Sequence, residues 1–160
     1  MARAGSEMHA HPPKVVLADD HPLVRLTVRE DLEHAGFHVC AEAATGAEAI
    51  EAAVREQPDL CVLDISMPGG GGLLAAAQIN LLVPSAKVVM LTAASTEETL
   101  LEAVRAGACG YLLKDDDPDR LGAALRDVLN GIPSFPRRLL PPLVLAARSA
   151  LGPPLLAETP

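Results

Sequence analysis

Aromatic side chains are scarce in this chain of 160 residues, which has no tryptophan, one tyrosine and two phenylalanines. Hydrophobic residues nevertheless make up 49% of the sequence, so a core must be built from Val, Leu, Ile and Ala. Such a core suits helices packed on a sheet. A flavin-binding module is disfavoured, because it would need aromatic rings beside the flavin and a hydroxyl-rich phosphate loop.

Basic residues and cysteines are also few. There are 13 Lys and Arg against 21 Asp and Glu, giving a formal net charge of −8, which argues against direct nucleic-acid binding by these residues. The three cysteines lack the paired spacing of a metal site and are expected to be buried, reduced thiols. No apolar stretch approaches the roughly 18 residues of a membrane span and no signal peptide opens the chain, so we expect a cytoplasmic protein without membrane contact.

What the chain does contain is a set of short apolar runs that stop at polar residues. Lys14–Ala18 runs into Asp19 and Asp20, Leu60–Leu63 into Asp64, Lys87–Leu91 into Thr92, and Gly110–Leu113 into Lys114. Runs of this kind are typical of strands buried on both faces, and hence of a parallel sheet. In open parallel sheets, ligands bind at the carboxyl ends of the strands, where these polar residues would lie.

Five strands are predicted to alternate with five helices. His38–Ala43 is the remaining strand. Helices are predicted at 22–35, 46–57, 73–82, 96–106 and 118–130, with capping boxes at Thr45–Glu48 and Ser95–Glu98. The pattern predicts an α/β fold, a doubly wound (βα)5 parallel sheet of the flavodoxin-like type with strand order 2-1-3-4-5.

The ends of the chain differ in composition from this unit. Residues 1–13 are predicted to be a disordered leader and residues 14–131 the domain itself. Residues 132–160 are rich in proline and are predicted to be a linker, in which 143–151 can form a short apolar helix. That helix would either float or make a dimer or interdomain contact.

In the predicted strand order, strands one and three are neighbours. Asp19, Asp20 and Asp64 would therefore converge in one cleft, where three carboxylates repel one another unless a cation offsets them. Oxygen ligands with open positions suit Mg²⁺, and Lys114 can reach across as a fixed positive charge. Each residue alone is more typical of a turn, a helix cap or a solvated strand end. The argument for a site comes from their joint occurrence at one edge.

The chain resembles the receiver domain of two-component response regulators, especially the NarL/FixJ-type transcriptional regulators. The resemblance covers about residues 14–131 and is carried by the segments VVLADDHPLVR, LCVLDISMPGGGGL, VVMLTA and AGACGYLLKD. It implies that Asp64 is the phosphoacceptor and that Asp19, Asp20, Asp64 and the backbone carbonyl of Ser66 hold Mg²⁺. It further implies that Lys114 contacts the phosphoryl group and that Thr92 and Tyr111 form a switch pair.

The implied function is signalling rather than enzyme catalysis. A sensor histidine kinase would donate the phosphoryl group, and the receiver would change conformation, form a homodimer and control transcription. Contact with DNA would come only through a C-terminal helix-turn-helix domain that is absent from this chain. The alternative is a degenerate receiver that acts as an interaction module without phosphorylation. An Asp-nucleophile phosphatase is disfavoured, because Ser66 stands where a second acid is needed.

Two features depart from the family pattern. Residues 69–72 are all glycine, where a bulky residue followed by an acid or amide is usual, and four glycines raise the entropic cost of ordering a loop. Asp115 stands where many receivers have a cis proline after the lysine. A cis bond there would cost about 2.5–4 kcal/mol without proline, so a different local geometry is expected.

Overall fold

The computed structural model describes residues 11–93 and 96–152. Most of the predicted leader, Ser95 of the predicted capping box and the last eight residues lie outside the described residues. Within them the strands are β1 (Lys14–Ala18), β2 (His38–Ala43), β3 (Leu60–Asp64), β4 (Lys87–Thr92) and β5 (Gly110–Leu113). The helices are α1 (Pro22–His34), α2 (Gly46–Glu56), α3 (Gly71–Leu82), α4 (Glu97–Arg105), α5 (Pro118–Leu129) and α6 (Leu140–Leu151).

The described strands form one parallel sheet in the order β2-β1-β3-β4-β5. This confirms the predicted fold class and strand order. Strands β3 and β4 each extend one residue beyond the prediction, because Asp64 pairs with Leu91 and Thr92 pairs with Leu113. The two polar residues are therefore held by the sheet itself.

Alternation along the buried strands divides the core into two layers. In β1, Val15 and Leu17 join the layer that contains Leu32 of α1 and Leu125 of α5. The intervening Val16 and Ala18 face the opposite layer, which is built largely from alanines of α2 and α3 together with residues of α4. Successive side chains of a strand point to opposite faces of the sheet, and helices cover both faces. Nearly every residue of a buried strand is therefore apolar.

Helix α3 corrects the prediction of a loop that extends to Gly72. A 3₁₀ turn covers Pro68–Gly70, and α3 begins at Gly71, two residues before the predicted start. A Cβ on Gly72 would lie 2.1 Å from the carbonyl oxygen of Asp64, and a Cβ on Gly46 would lie 2.6 Å from that of Gly71. Glycine at these positions therefore permits close backbone approach of α3 to β3 and to α2, so the run is not simply a flexible loop.

Helix α4 is capped one residue later than predicted. Its N-cap is Thr96, whose hydroxyl accepts from the backbone N–H of Thr99 at 3.2 Å, while Thr99 Oγ1 accepts from the N–H of Thr96 at 3.3 Å. Thr99 thus takes the part predicted for Glu98. This register also brings the Thr99 hydroxyl to Tyr111, a tertiary contact that local pattern does not reveal.

One of the acids after β5 caps the helix that follows, and acids at a helix N-terminus also interact favourably with the macrodipole. Asp117 is the N-cap of α5 and its side chain accepts from the N–H of Asp119 at 2.9 Å. The described peptide bonds are all trans, including that between Lys114 and Asp115.

The proline-rich segment packs on the domain. Ser134 forms a parallel bridge with Gly110, and the N–H of Tyr111 donates to the Ser134 carbonyl at 2.9 Å. Leu139 is buried against the core layer of α4, and α6 begins at Leu140, three residues before the predicted start. The prolines at its first turn explain the early start, because proline there loses no helical hydrogen bond.

Candidate functional site

The carboxyl edge of the sheet carries the predicted site residues. Asp19 and Asp20 follow β1, Asp64 and Thr92 end β3 and β4, and Lys114 follows β5. Asp19 and Asp64 are each 1% exposed and Thr92 is 4% exposed. Parallel pairing of neighbouring strands is what places residues from distant parts of the chain at one edge.

The three carboxylates converge as predicted. One ligand atom from each of Asp19, Asp20, His21 and Asp64 lies within 4.8 Å of the others. The Asp19 turn is ordered by the N–H of His21, which donates to Asp19 Oδ1 at 2.9 Å. Carboxylates at this separation repel one another unless positive charge is present, so the cluster is suited to binding a cation.

Lys114 supplies positive charge within the cluster. Its Nζ lies 2.8 Å from Asp19 Oδ2 and 3.1 Å from Asp64 Oδ1. Burial of the side chain opposes its charged form, but hydrogen bonds to the two carboxylates outweigh this and raise the pKa of Lys114. The ammonium group therefore remains charged across the physiological range.

Asp64 has one oxygen that is held and one that is not. Oδ1 accepts from the N–H of Ser66 at 3.0 Å and pairs with Lys114. Oδ2 is buried and has no hydrogen-bond partner among the described residues. Burial is the main cause that raises the pKa of Asp64, and the Ser66 N–H and Lys114 oppose it. A buried, unsatisfied carboxylate oxygen beside two further carboxylates fits a hard divalent cation such as Mg²⁺.

Ser66, whose carbonyl was expected to join this ligand set, follows Asp64 by two residues and is held against it through the N–H bond just described. Thr92 lies at the same edge, and its carbonyl accepts from the N–H of Lys114 at 2.8 Å. The small residue Ala93 comes next and is exposed.

Tyr111 is fully buried, and its hydroxyl hydrogen-bonds to Thr99 Oγ1 of α4. The predicted switch residue thus occupies an inward position and is tied to a helix as well as to β5. Thr99 was not among the predicted site residues. The sequence feature that could have indicated it is the spacing of Thr96 and Thr99, two hydroxyl residues three positions apart at the start of a helix.

His21 is a further residue at this edge of the sheet. Its Nδ1 lies 3.0 Å from Asp20 Oδ1 and 3.4 Å from Asp19 Oδ1, while its side chain remains 64% exposed. The imidazole therefore borders the carboxylate cluster from the solvent side. The sequence feature that points to this contact is the position of His21 directly after two acids at the end of a strand.

None of the helices in the described part of the chain has the length and hydrophobicity that a membrane span requires.

Comparison with known proteins agrees with this geometry. The model of the response regulator receiver domain family matches residues 15–126. The chain is 39% identical over 125 residues to the oxygen regulatory protein NreC of Staphylococcus epidermidis, covering 74% of this chain and 55% of that protein. It is 39% identical over 131 residues to the nitrate/nitrite response regulator protein NarP of Escherichia coli, covering 81% and 61%.

The fold is also similar to that of a solved structure. The crystal structure of a LuxR-family two-component response regulator from Aurantimonas sp. superposes with a TM-score of 0.78 at 31% identity. The match covers 86% of this chain and 99% of that one. The chain spans only somewhat more than half the length of NreC and NarP, whereas it matches this solved chain almost completely.

Proposed function

The chain belongs to the response regulator receiver domain family, with NarL/LuxR-type regulators as its relatives, and on this premise we propose that Asp64 is its phosphoacceptor. The observation that carries the proposal is the state of the Asp64 carboxylate. One oxygen is fixed by Ser66 and Lys114, and the other is buried without a hydrogen-bond partner among the described residues. That arrangement fixes the orientation of the carboxylate that would act as the nucleophile.

The reaction is a phosphoryl transfer from a phosphohistidine of a sensor histidine kinase. An oxygen of Asp64 attacks phosphorus in line, the phosphorus–nitrogen bond breaks, and the imidazole leaves with the electron pair. The product is an acyl phosphate on Asp64; carboxylates form such intermediates in other phosphoryl-transfer proteins. Phosphoryl transfer depends mainly on positioning and charge stabilisation, which a fixed carboxylate and a fixed ammonium group provide.

Asp19, Asp20, Asp64 and the backbone carbonyl of Ser66 would hold Mg²⁺, for which the carboxylate cluster is suited. When bound, the ion neutralises charge on the phosphoryl oxygens and on the acids themselves. Lys114 contributes from the end of β5. Its ammonium group, already between Asp19 and Asp64, can turn to a phosphoryl oxygen once the Asp64 carboxylate has become an acyl phosphate.

The response to phosphorylation would be a population shift at the β4 and β5 ends of the sheet. The Thr92 hydroxyl would donate to a phosphoryl oxygen and draw the β4–α4 connection inward. Tyr111 is coupled to that connection, because its hydroxyl bonds to Thr99 at the start of α4. The buried position of Tyr111 would be the state that phosphorylation favours.

The output is homodimerisation and transcriptional control in the cytoplasm. DNA contact would be made by a helix-turn-helix domain outside this chain, since the net charge of −8 does not favour contact by these residues. The alternative of a degenerate receiver is less well supported, because the acids and the lysine of the site are present and in mutual contact.

The test is phosphorylation by acetyl phosphate, read on a gel that retards phosphoproteins. We expect the wild-type chain to be labelled with Mg²⁺ and to lose labelling when the ion is chelated. Asp64→Asn should not be labelled, whereas Asp59→Asn, which changes an acid at the opposite end of β3, should be labelled normally. Persistent labelling of Asp64→Asn would refute the assignment. A folded wild-type chain that is never labelled would favour the degenerate receiver.

A further inference from the structure

The backbone of the Asp19–His21 turn, which carries two of the cluster carboxylates, is held from outside by a side chain of α1. Arg25 Nη1 donates to the backbone carbonyl of Asp19 at 2.7 Å. The N–H of Asp19 donates to the carbonyl of Ala43 at 3.0 Å, and Asp19 Oδ1 accepts from the N–H of His21. Asp19 is thus fixed at its nitrogen, its carbonyl oxygen and its side chain, and Arg25 supplies the hydrogen bond to the carbonyl oxygen.

Arg25 is itself anchored. Its Nε donates to Glu42 Oε1 of β2 at 3.0 Å, and the other oxygen of Glu42 pairs with Arg29 Nη1. The side chain of Arg25 is 21% exposed and that of Glu42 is 29% exposed, so the pair is partly shielded from water. A planar guanidinium can hold two acceptors in fixed directions, which a lysine ammonium on a flexible stem does less well.

Arg29 provides a natural comparison. It belongs to the same helix and pairs with the same Glu42, together with Glu33, but among the described residues it forms no hydrogen bond or ion pair with the Asp19–His21 turn. It is also more exposed, at 41%. The two arginines therefore share an ion-pair network and differ in whether they contact the acidic turn.

We propose that Arg25 is a positioning residue for divalent-cation binding, acting by holding the Asp19 carbonyl so that the Asp19 and Asp20 carboxylates face Asp64. This inference rests on the proposed function and extends it to a residue outside the ligand set. Groups that orient metal ligands typically change metal affinity roughly 10–100-fold when they are removed. The expected effect is on cation affinity, and the phosphoryl-transfer chemistry of Asp64 is expected to recover at saturating Mg²⁺.

The experiment compares Arg25→Met with Arg29→Met. Mg²⁺ is titrated while the amide chemical shifts of residues 19–21 and 64–66 are followed, and acetyl phosphate labelling rates are measured at low and saturating Mg²⁺. Arg25→Met should bind Mg²⁺ roughly 10-fold more weakly, near the lower end of the range for orienting groups. Its labelling should be slow at low Mg²⁺ and close to wild type at saturation. Arg29→Met should bind and react as wild type does.

Glu42→Gln is the second variant, and it decides the matter if Arg25→Met does not fold. It keeps Arg25 but weakens its anchor, so Mg²⁺ affinity should fall in the same direction by a smaller factor. If Arg25→Met binds Mg²⁺ as tightly as the wild type, the inference about Arg25 is wrong while the proposed function stands. If Arg25→Met does not fold, the same conclusion follows from equal Mg²⁺ affinities of the wild type and Glu42→Gln. Absence of Mg²⁺-dependent shifts in the wild-type chain would overturn the proposed function as well.

Discussion

The ammonium group of Lys114 lies 3.1 Å from Oδ1 of Asp64. The two residues are 50 positions apart in sequence and come from strands that do not pair, yet they are held in contact by the order of the sheet. The same ammonium group contacts Asp19, so it would compete with a divalent cation for these carboxylates. This competition leads to the first prediction.

Lys114→Met should separate cation binding from phosphoryl transfer. Removing the ammonium group leaves the carboxylates without its charge, so Mg²⁺ should bind several-fold more tightly. Labelling by acetyl phosphate should nevertheless slow by roughly 10²-fold, the usual effect of removing one charge-stabilising donor from a transition state. The measurements are Mg²⁺ titration and labelling rate on the same variant. Weaker Mg²⁺ binding in Lys114→Met would contradict the competition.

Gly72→Ala should destabilise the fold more than Gly69→Ala. A Cβ on Gly72 would collide with the carbonyl of Asp64 and with Cα of Ile65, and such overpacking costs roughly 1–3 kcal/mol. Gly69 has a positive φ of 71° but open space around it, so its substitution should cost about 1 kcal/mol of backbone strain. Denaturant unfolding of both variants tests this. Equal destabilisation would show that the glycine run is needed only for backbone freedom.

Leu139→Ala should destabilise the domain by roughly 2–5 kcal/mol, the range for a buried leucine. Leu139 is 7% exposed and packs in the core layer that contains Tyr111, whereas its neighbour Leu140 is 41% exposed. Leu140→Ala is therefore the matched control and should be nearly neutral. The comparison, made by thermal or denaturant unfolding, tests whether the folded unit extends past residue 131. Two neutral variants would support the linker interpretation of residues 132–160.

Cys61 should be unreactive in the folded protein at pH 8. It is fully buried, and burial raises the pKa of its thiol to about 12 from a usual value of 9.0. The folded state therefore holds its proton more tightly than the unfolded state. The resulting stability is fully present below pH 9 and is lost as pH rises toward 12, by up to about 1.4 kcal/mol per pH unit.

Two measurements check this. A thiol reagent should modify Cys61 only after denaturation, as shown by peptide mapping. Cys61→Ala should lose less unfolding free energy than the wild type between pH 8 and pH 10. Rapid modification of Cys61 in the native chain would contradict the burial that the fold assigns to it.

Much of the fold was predictable because strands buried on both faces produce continuous apolar runs that end abruptly. Asp64, Thr92 and Lys114 could be placed at one edge on that basis alone, together with the parallel topology. The convergence of Asp19, Asp20 and Asp64 followed from the strand order. The roles assigned to these residues rest on the family resemblance and remain predictions.

Other features depend on contacts that sequence periodicity does not encode. The hydrogen bond between Thr99 and Tyr111 depends on how α4 is placed against β5. The hydrogen bond from Arg25 to the Asp19 carbonyl depends on how the first turn of α1 is oriented relative to the turn that precedes it. The start of α3 at Gly71 reflects the close approach of backbone segments. In each case the contact involves either a residue distant in sequence or a backbone atom, and neither is visible in the local pattern of side chains.

The account depends most on Asp64 being the residue that receives the phosphoryl group. An acyl phosphate on aspartate can be reduced by borohydride, which converts the side chain to that of homoserine, and the site is then identified by peptide mapping. After incubation with acetyl phosphate and Mg²⁺, we expect homoserine at position 64 and unchanged aspartate at positions 19 and 20. Homoserine at position 19 or 20 would contradict the central claim. So would a phosphorylated chain in which no homoserine is found after reduction.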